Sequence, residues 1–199
     1  EAYAEAGAKI VPDADALYAA ADIIFKVRPP EASEVEKMRE GTTLICLMDA
    51  WFNLPMVEKL AAQKVRSFAL EFIPRTTRAQ SMDVLSSQAN IGGYRAVLEA
   101  TIQYKRFFPL MMTSAGSAKP ARVVILGVGV AGLQAIATAR RLGAQVWAYD
   151  VRPETSEQVE SLGAKFIDLD LGEEGSGEGG YAKELSDEAN FQMHFGVNR

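Results

Sequence analysis

Cysteine and histidine are almost missing from this 199-residue chain, which has only Cys46 and His194. A single thiol excludes a disulfide within the chain, and burial in a strand accounts for Cys46, which sits in the apolar run TTLICLM. His194 lies in the tail, where a solvated surface residue is expected, and no metal site is expected. Basic runs are also missing. The net charge of -5 argues against a polyanion-binding surface, so no nucleic-acid partner is expected. The longest uncharged run, between Arg122 and Arg140, is interrupted by glycines and does not read as a membrane span. No signal peptide is apparent. The chain opens at Glu1 on the helix-like EAYAEAGA and stops at Arg199 soon after a second sheet has begun, so it reads as a piece of a longer protein. What is present is 48% hydrophobic and 24% charged, an ordinary balance for one large or two small globular domains.

The most informative stretch runs from Val123 to Asp150: VVILGVGVAGLQAIATARRLGAQVWAYD. It reads as an apolar strand, the glycine turn Gly127, Gly129 and Gly132, a helix of small residues, and a second strand ending on an acid. A dinucleotide site requires that order. The first glycine permits a tight turn, the second lets backbone approach a pyrophosphate, and the third lets the helix sit close to its strand. Free N–H groups at the helix start, from Val130 onward, then face the phosphates. Asp150 lies 18 residues beyond Gly132 (150 − 132), near the spacing of a carboxylate that accepts from ribose hydroxyls. Such an acid favours NAD over NADP, because a 2′-phosphate would meet like charge. Arg152 falls close enough to lie near the adenosine ribose.

Upstream, strand and helix alternate: DIIFKV (22–27), a helix over 30–40, a buried strand at 42–48, a helix at 54–64 and a strand at 66–73. That alternation predicts a parallel sheet with helices on its faces. The irregular PRTTRAQSMD follows, then a long helical pattern over 84–107 that reads as a strut joining two domains. Gly92 and Gly93 sit inside it; each interior glycine costs on the order of 1 kcal/mol relative to alanine, which implies that another backbone packs closely there. TSAGSAKP (113–120) reads as a small, flexible entry to the second domain. After Asp150 a helix (153–162) and a strand (165–169) continue the pattern before the Gly/Glu-rich LGEEGSGEGG, which cannot bury a core and reads as a solvated loop or a mobile lid. The fold expected is α/β: two Rossmann-like domains, 1–119 (including the linking helix) and 120–199, the second truncated.

Three segments in order, PRTTRAQSMDVLSSQANIGGYRAVLEA, GVGVAGLQAIATARRLGA and GGYAKELS, resemble the NAD(H)-binding component of the proton-translocating NAD(P) transhydrogenases. Alanine dehydrogenase, a relative, shares the two-domain fold and the glycine turn. The resemblance implies NAD(H) held by the second domain and direct hydride transfer to NADP(H) on a separate domain, with a membrane domain coupling this to proton movement. It implies that an Arg-Gln-Asp loop falls on Arg75, Gln80 and Asp83, with Asp83 orienting Arg75, Gln80 reaching the dihydronicotinamide ribose, and Ser86 binding the carboxamide region. Read as bare residues, Asp83 and Ser86 would equally well cap the long helix. Tyr181, after Gly179-Gly180, is implied to pack near the adenosine. The resemblance further implies a peripheral homodimer on the cytoplasmic face of a bacterial inner membrane, or the mitochondrial matrix side. Two alternatives remain. An alanine dehydrogenase would use Lys26 or Arg28 for the substrate carboxylate, but LICLMDAWFN lacks the histidine expected there. A non-catalytic NAD-binding module would need no loop over the nicotinamide.

Overall fold

A computed structural model describes residues 2–169 together with Lys183 and Ser186. They form two units, divided between Leu85 and Ser86.

The first unit opens with short helices α1 (Ala2–Glu5) and α2 (Ala14–Ala20). Asp13 caps α2 by accepting from the Ala16 N–H at 2.8 Å. Then come β1 (Ile23–Phe25), α3 (Ala32–Lys37), β2 (Thr43–Cys46), α4 (Leu54–Ala62) and β3 (Arg66–Ala69). The three strands pair in parallel, β1-β2-β3. Strand periodicity separates the faces: Ile24, Leu44 and Cys46 point into a core with Tyr18, Val35, Met38, Leu60 and Val65, whereas Ile23, Phe25 and Phe68 are exposed. Burial also pushes the Cys46 thiol up to about 11, with the Glu71 charge adding to it, so the thiol stays protonated and acts as a small apolar side chain. The run RSFALEFI extends only to Ala69 as a strand and then closes into a 3₁₀ turn at Leu70–Phe72.

The second unit begins with the body of α5 (Val84–Tyr104), followed by an antiparallel hairpin, β4 (Met111–Thr113) with β5 (Gly116–Ala118). TSAGSAKP, expected to be flexible, therefore contributes a paired strand. Next come β6 (Arg122–Leu126), α6 (Val130–Arg141), β7 (Gln145–Tyr149), α7 (Ser156–Ser161) and β8 (Lys165–Phe166), with the sheet again parallel in the order β6-β7-β8. The core is built largely of small residues. Ala135, Ile136 and Ala139 of α6 meet Val146, Ala148 and Val159, and Val97 of α5 joins them.

Packing assigns the long helix to the second unit, short of the expected division after residue 119. The reason is backbone contact: a Cβ added at Gly93 would lie 2.1 Å from the Ala131 carbonyl oxygen in the first turn of α6. The sequence implied such a contact somewhere at Gly92-Gly93, and it falls on Gly93 alone, since a Cβ at Gly92 would meet nothing within 4 Å. Two neighbouring substitutions should then diverge. Gly93→Ala should destabilise by about 1–3 kcal/mol through overpacking. Gly92→Ala should be neutral or stabilise by up to about 1 kcal/mol through helix propensity. Urea unfolding of the full-length protein at unchanged m reads both. Equal effects would show that α5 does not rest on α6.

Candidate functional site

The glycine turn forms where β6 meets α6. Gly127 adopts φ +89°, a left-handed conformation that glycine takes without steric cost. Its N–H donates to the Tyr149 carbonyl at 2.8 Å, tying the turn to the end of β7. Gly129 is extended and is the N-cap of α6; its carbonyl accepts from the Leu133 N–H at 2.9 Å. A Cβ at Gly132 would fall 1.9 Å from the Gly127 carbonyl oxygen, so helix and turn touch through bare backbone. At Gly129, by contrast, a Cβ would point into open space. The N–H groups of Val130, Ala131 and Gly132 belong to the first turn and have no partner within an α-helix ladder. Open space over donors at the positive end of a 12-residue helix is the arrangement that takes a phosphate.

Asp150 follows β7 directly and is buried. Its Oδ2 accepts from the Val128 N–H at 2.6 Å and from Arg152 Nη2 at 2.9 Å; its Oδ1 accepts from the Arg152 N–H at 2.9 Å and from Arg152 Nε at 2.8 Å. Burial alone would push the carboxyl pKa up. The hydrogen bonds from Arg152 and Val128 outweigh it and hold the pKa below the usual carboxylate range. Sequence spacing leads to the expectation that Asp150 and Arg152 lie beside a ribose. It did not reveal that they grip each other, nor that Val128, one residue into the turn, is the third member. That contact depends on β6-β7 pairing, which sets Leu126 opposite Tyr149.

Arg75 and Gln80 are exposed. Gln80 lies in a 3₁₀ turn (Thr77–Met82), so the segment read as irregular has regular local structure. Asp83 ends that turn, its N–H donating to the Gln80 carbonyl at 3.2 Å, and Ser86 is half-buried in the first turn of α5. Tyr181 and His194 lie outside the described residues. A cavity of about 1150 Å³ lined by Tyr104, Lys105, Arg106, Lys119, Arg122 and Gln145 opens at the beginnings of β6 and β7. Ligands of parallel α/β sheets bind beyond the carboxyl ends of the strands, so it lies at the wrong end to hold the nucleotide.

Lys26, offered for a substrate carboxylate, is already engaged. Its Nζ donates to Glu34 Oε2 at 2.6 Å, while Tyr18 donates to Oε1 at 2.7 Å and the Glu31 N–H to Oε2 at 2.6 Å. This knot ties the end of β1 to α2 and α3. Arg28 is exposed. Burial pushes the Glu34 pKa up, but the bonds from Lys26, Tyr18 and Glu31 prevail and set it at about 2. A folded-state pKa below the usual value means a stabilising contribution that is complete above about pH 4.5 and is lost as pH falls towards 2. Glu34→Gln should destabilise at pH 7 by on the order of 2 kcal/mol and flatten the loss of stability between pH 5 and 2. An unaltered acid limb in denaturation curves would show that the knot contributes nothing.

Residues 1–92 match the family described as alanine dehydrogenase/PNT, N-terminal domain, and residues 96–194 its C-terminal domain. The chain is 50% identical over 195 residues to an NAD(P) transhydrogenase subunit alpha chain of Rhodospirillum rubrum, covering 94% of this chain and 51% of that protein. The crystal structure of transhydrogenase from Sinorhizobium meliloti superposes with a TM-score of 0.80 at 52% identity, over 83% of this chain and 49% of that one. Alanine dehydrogenase of Mycolicibacterium smegmatis is more distant, 28% identical over 158 residues, 78% of this chain and 42% of that protein. The chain thus spans about half the length of these relatives. With both halves of the family matched in order along the chain, it belongs to the alanine dehydrogenase/PNT family.

Proposed function

We propose that this chain is the NAD(H)-binding component of a proton-translocating NAD(P)⁺ transhydrogenase. The glycine turn that leads from β6 into α6, with Asp150 at the end of β7, carries the reading. The similarity to the transhydrogenase subunit of Rhodospirillum rubrum supports this activity over the alternatives within the family. When bound, NADH would supply a hydride directly to NADP⁺ on a separate domain, giving NAD⁺ and NADPH with no proton exchanged with a side chain.

The work of this chain is therefore positioning rather than acid–base chemistry. The N–H groups of Val130, Ala131 and Gly132 receive the pyrophosphate, with Gly127 shaping the turn and Gly129 leaving room. Asp150 accepts from the ribose. Asp83 orients Arg75, Gln80 reaches the dihydronicotinamide ribose, Ser86 holds the carboxamide region, and Tyr181 packs near the adenosine. The partners are the NADP(H)-binding domain, the membrane domain and a second copy of the chain, on the cytoplasmic or matrix face of the membrane. Among the described residues no helix is long and apolar enough to cross a membrane, which agrees with a peripheral component. Amino-acid dehydrogenation is disfavoured by the chain itself: Lys26 is held by Glu34, and the loop after β2 offers Asp49 and no histidine. A non-catalytic NAD-binding module would bind NADH without transferring hydride to any acceptor.

Mixing the full-length protein with an NADP(H)-binding domain should give hydride transfer from NADH to an NADP⁺ analogue that depends on the partner, while alanine plus NAD⁺ stays silent. NADH formed from alanine without the partner would overturn the reading in favour of a dehydrogenase. In the same assay Gln80→Ala should slow transfer about 10²-fold with little change in NADH affinity. Equal loss of both would reduce Gln80 to a binding contact.

A further inference from the structure

We infer that Gly93 is a positioning residue for the nicotinamide half of the dinucleotide. Its bare backbone sets how the start of α5, with Ser86, stands relative to the phosphate cradle on α6, and so governs the rate of hydride transfer more than the affinity for NADH. This rests on the proposed placement of NADH in the second unit.

The contact is between two main chains. A Cβ at Gly93 would fall 2.1 Å from the Ala131 carbonyl oxygen, 2.8 Å from its carbonyl carbon and 3.0 Å from its Cα. No flexible side chain is there to give way, so any larger residue must move one helix against the other. Ala131 is the second residue of α6, and its N–H is one of the three that would receive the pyrophosphate.

The two helices run side by side in the same sense. Gly93 meets the start of α6, and Val97 joins the core with Ala135 and Ala139. Pro109, beyond the end of α5, meets Gly143 just after α6, where an added Cβ would lie 2.6 Å from the Pro109 Cβ. Ser86 stands seven residues before Gly93 and shares its face, because two helical turns separate them. Between Ser86 and Val97 the covered positions are Ser86, Ala89, Gly93 and Val97, a single stripe. At 1.5 Å per residue Ser86 is carried about 10 Å past the contact, towards the end of the sheet that bears the glycine turn. That is the end at which the carboxamide would lie if the pyrophosphate sits on α6.

Anchoring decides which helix yields. The start of α6 is fastened on its other side by the Gly132 contact with the Gly127 carbonyl, and the turn by the bonds from Gly127 to Tyr149 and from Val128 to Asp150. On the α5 stripe only Gly93 and Val97 are buried. A side chain at position 93 therefore displaces α5 and leaves the cradle in place. The pyrophosphate stays bound while the ring end loses its alignment.

The test measures hydride transfer from NADH to an NADP⁺ analogue, with the full-length protein, an NADP(H)-binding domain and saturating NADH. NADH dissociation constants come from nucleotide fluorescence. Wild type, Gly93→Ala, Gly92→Ala and Gly143→Ala are compared below their unfolding temperatures. Gly143→Ala is the control for instability: it overpacks Pro109 at a residue with φ +89°, at the far end of the same pair of helices. Gly93→Ala should slow transfer about 10–10²-fold while the NADH dissociation constant changes less than about threefold. Gly92→Ala and Gly143→Ala should transfer at the wild-type rate. An unchanged rate in Gly93→Ala, a loss of affinity that matches the loss of rate, or equal slowing by Gly143→Ala overturns the inference. If Gly93→Ala does not fold, hydrogen exchange of the wild type decides. NADH should then slow exchange in 86–93 as well as in 130–133, and an unaffected α5 overturns the inference. A wild type that binds no NADH would instead refute the nucleotide reading, and this inference with it.

Discussion

One hydrogen bond organises the second unit: the Val128 N–H held at 2.6 Å by the buried carboxylate of Asp150. It links the end of one parallel strand to the glycine turn that follows its neighbour. The turn is short, contains a residue in left-handed conformation, and buries the Val128 side chain, so its main-chain donor needs a buried acceptor. A carboxylate in that place is costly unless its charge is matched. Arg152 matches it, with both side chains largely out of solvent. Loss of one partner would leave the other as an uncompensated buried charge, a far larger penalty than the pair is worth as an attraction. The group that would read the ribose is therefore also built into the frame that shapes the phosphate cradle.

The same frame extends to α5. Because Gly93 leaves no room for a Cβ beside the Ala131 backbone, the start of α6 is supported from its flank as well as from the glycine turn through Gly132. The donors that would meet a pyrophosphate thus sit on a helix end fixed by two glycine contacts. The first unit is built along comparable lines. Three short parallel strands share one core, and the Glu34 knot and the Glu71 carboxylate, which accepts from the Met48 and Ala50 N–H groups, hold the loops at their carboxyl ends.

Local signals made much of the fold legible in the sequence. The apolar run VVIL followed by glycines, the small-residue helix and the acid at position 150 foretold β6, α6 and β7 within a residue or two, because turn chemistry and periodicity both act over short range. The helix at 14–20 escaped notice because ADALYAA is brief and its main signal is a single Asp13 cap. TSAGSAKP (113–120) reads as flexible because its residues are small, yet Gly116–Ala118 within it pairs with Met111–Thr113, since main-chain pairing needs no bulk. Tertiary facts were out of reach. Tyr18, Lys26 and Glu34 come from α2, the end of β1 and α3, so the meeting of Tyr18 and Lys26 on one carboxylate depends on how those three elements pack. The choice of Gly93 over Gly92 depends on which face of α5 meets α6. The Val128 bond to Asp150 depends on β6-β7 register, and it changes what the residue is: a member of the frame as well as a candidate reader of sugar hydroxyls.

The most direct measurement is a crystal structure of the full-length protein grown with NADH. The pyrophosphate should lie over the N–H groups of Val130 to Gly132 and the adenosine ribose on Asp150, with the Val128 bond to Asp150 intact. A nucleotide bound elsewhere, for example in the cavity lined by Lys105, Arg106, Lys119 and Arg122, would contradict this placement.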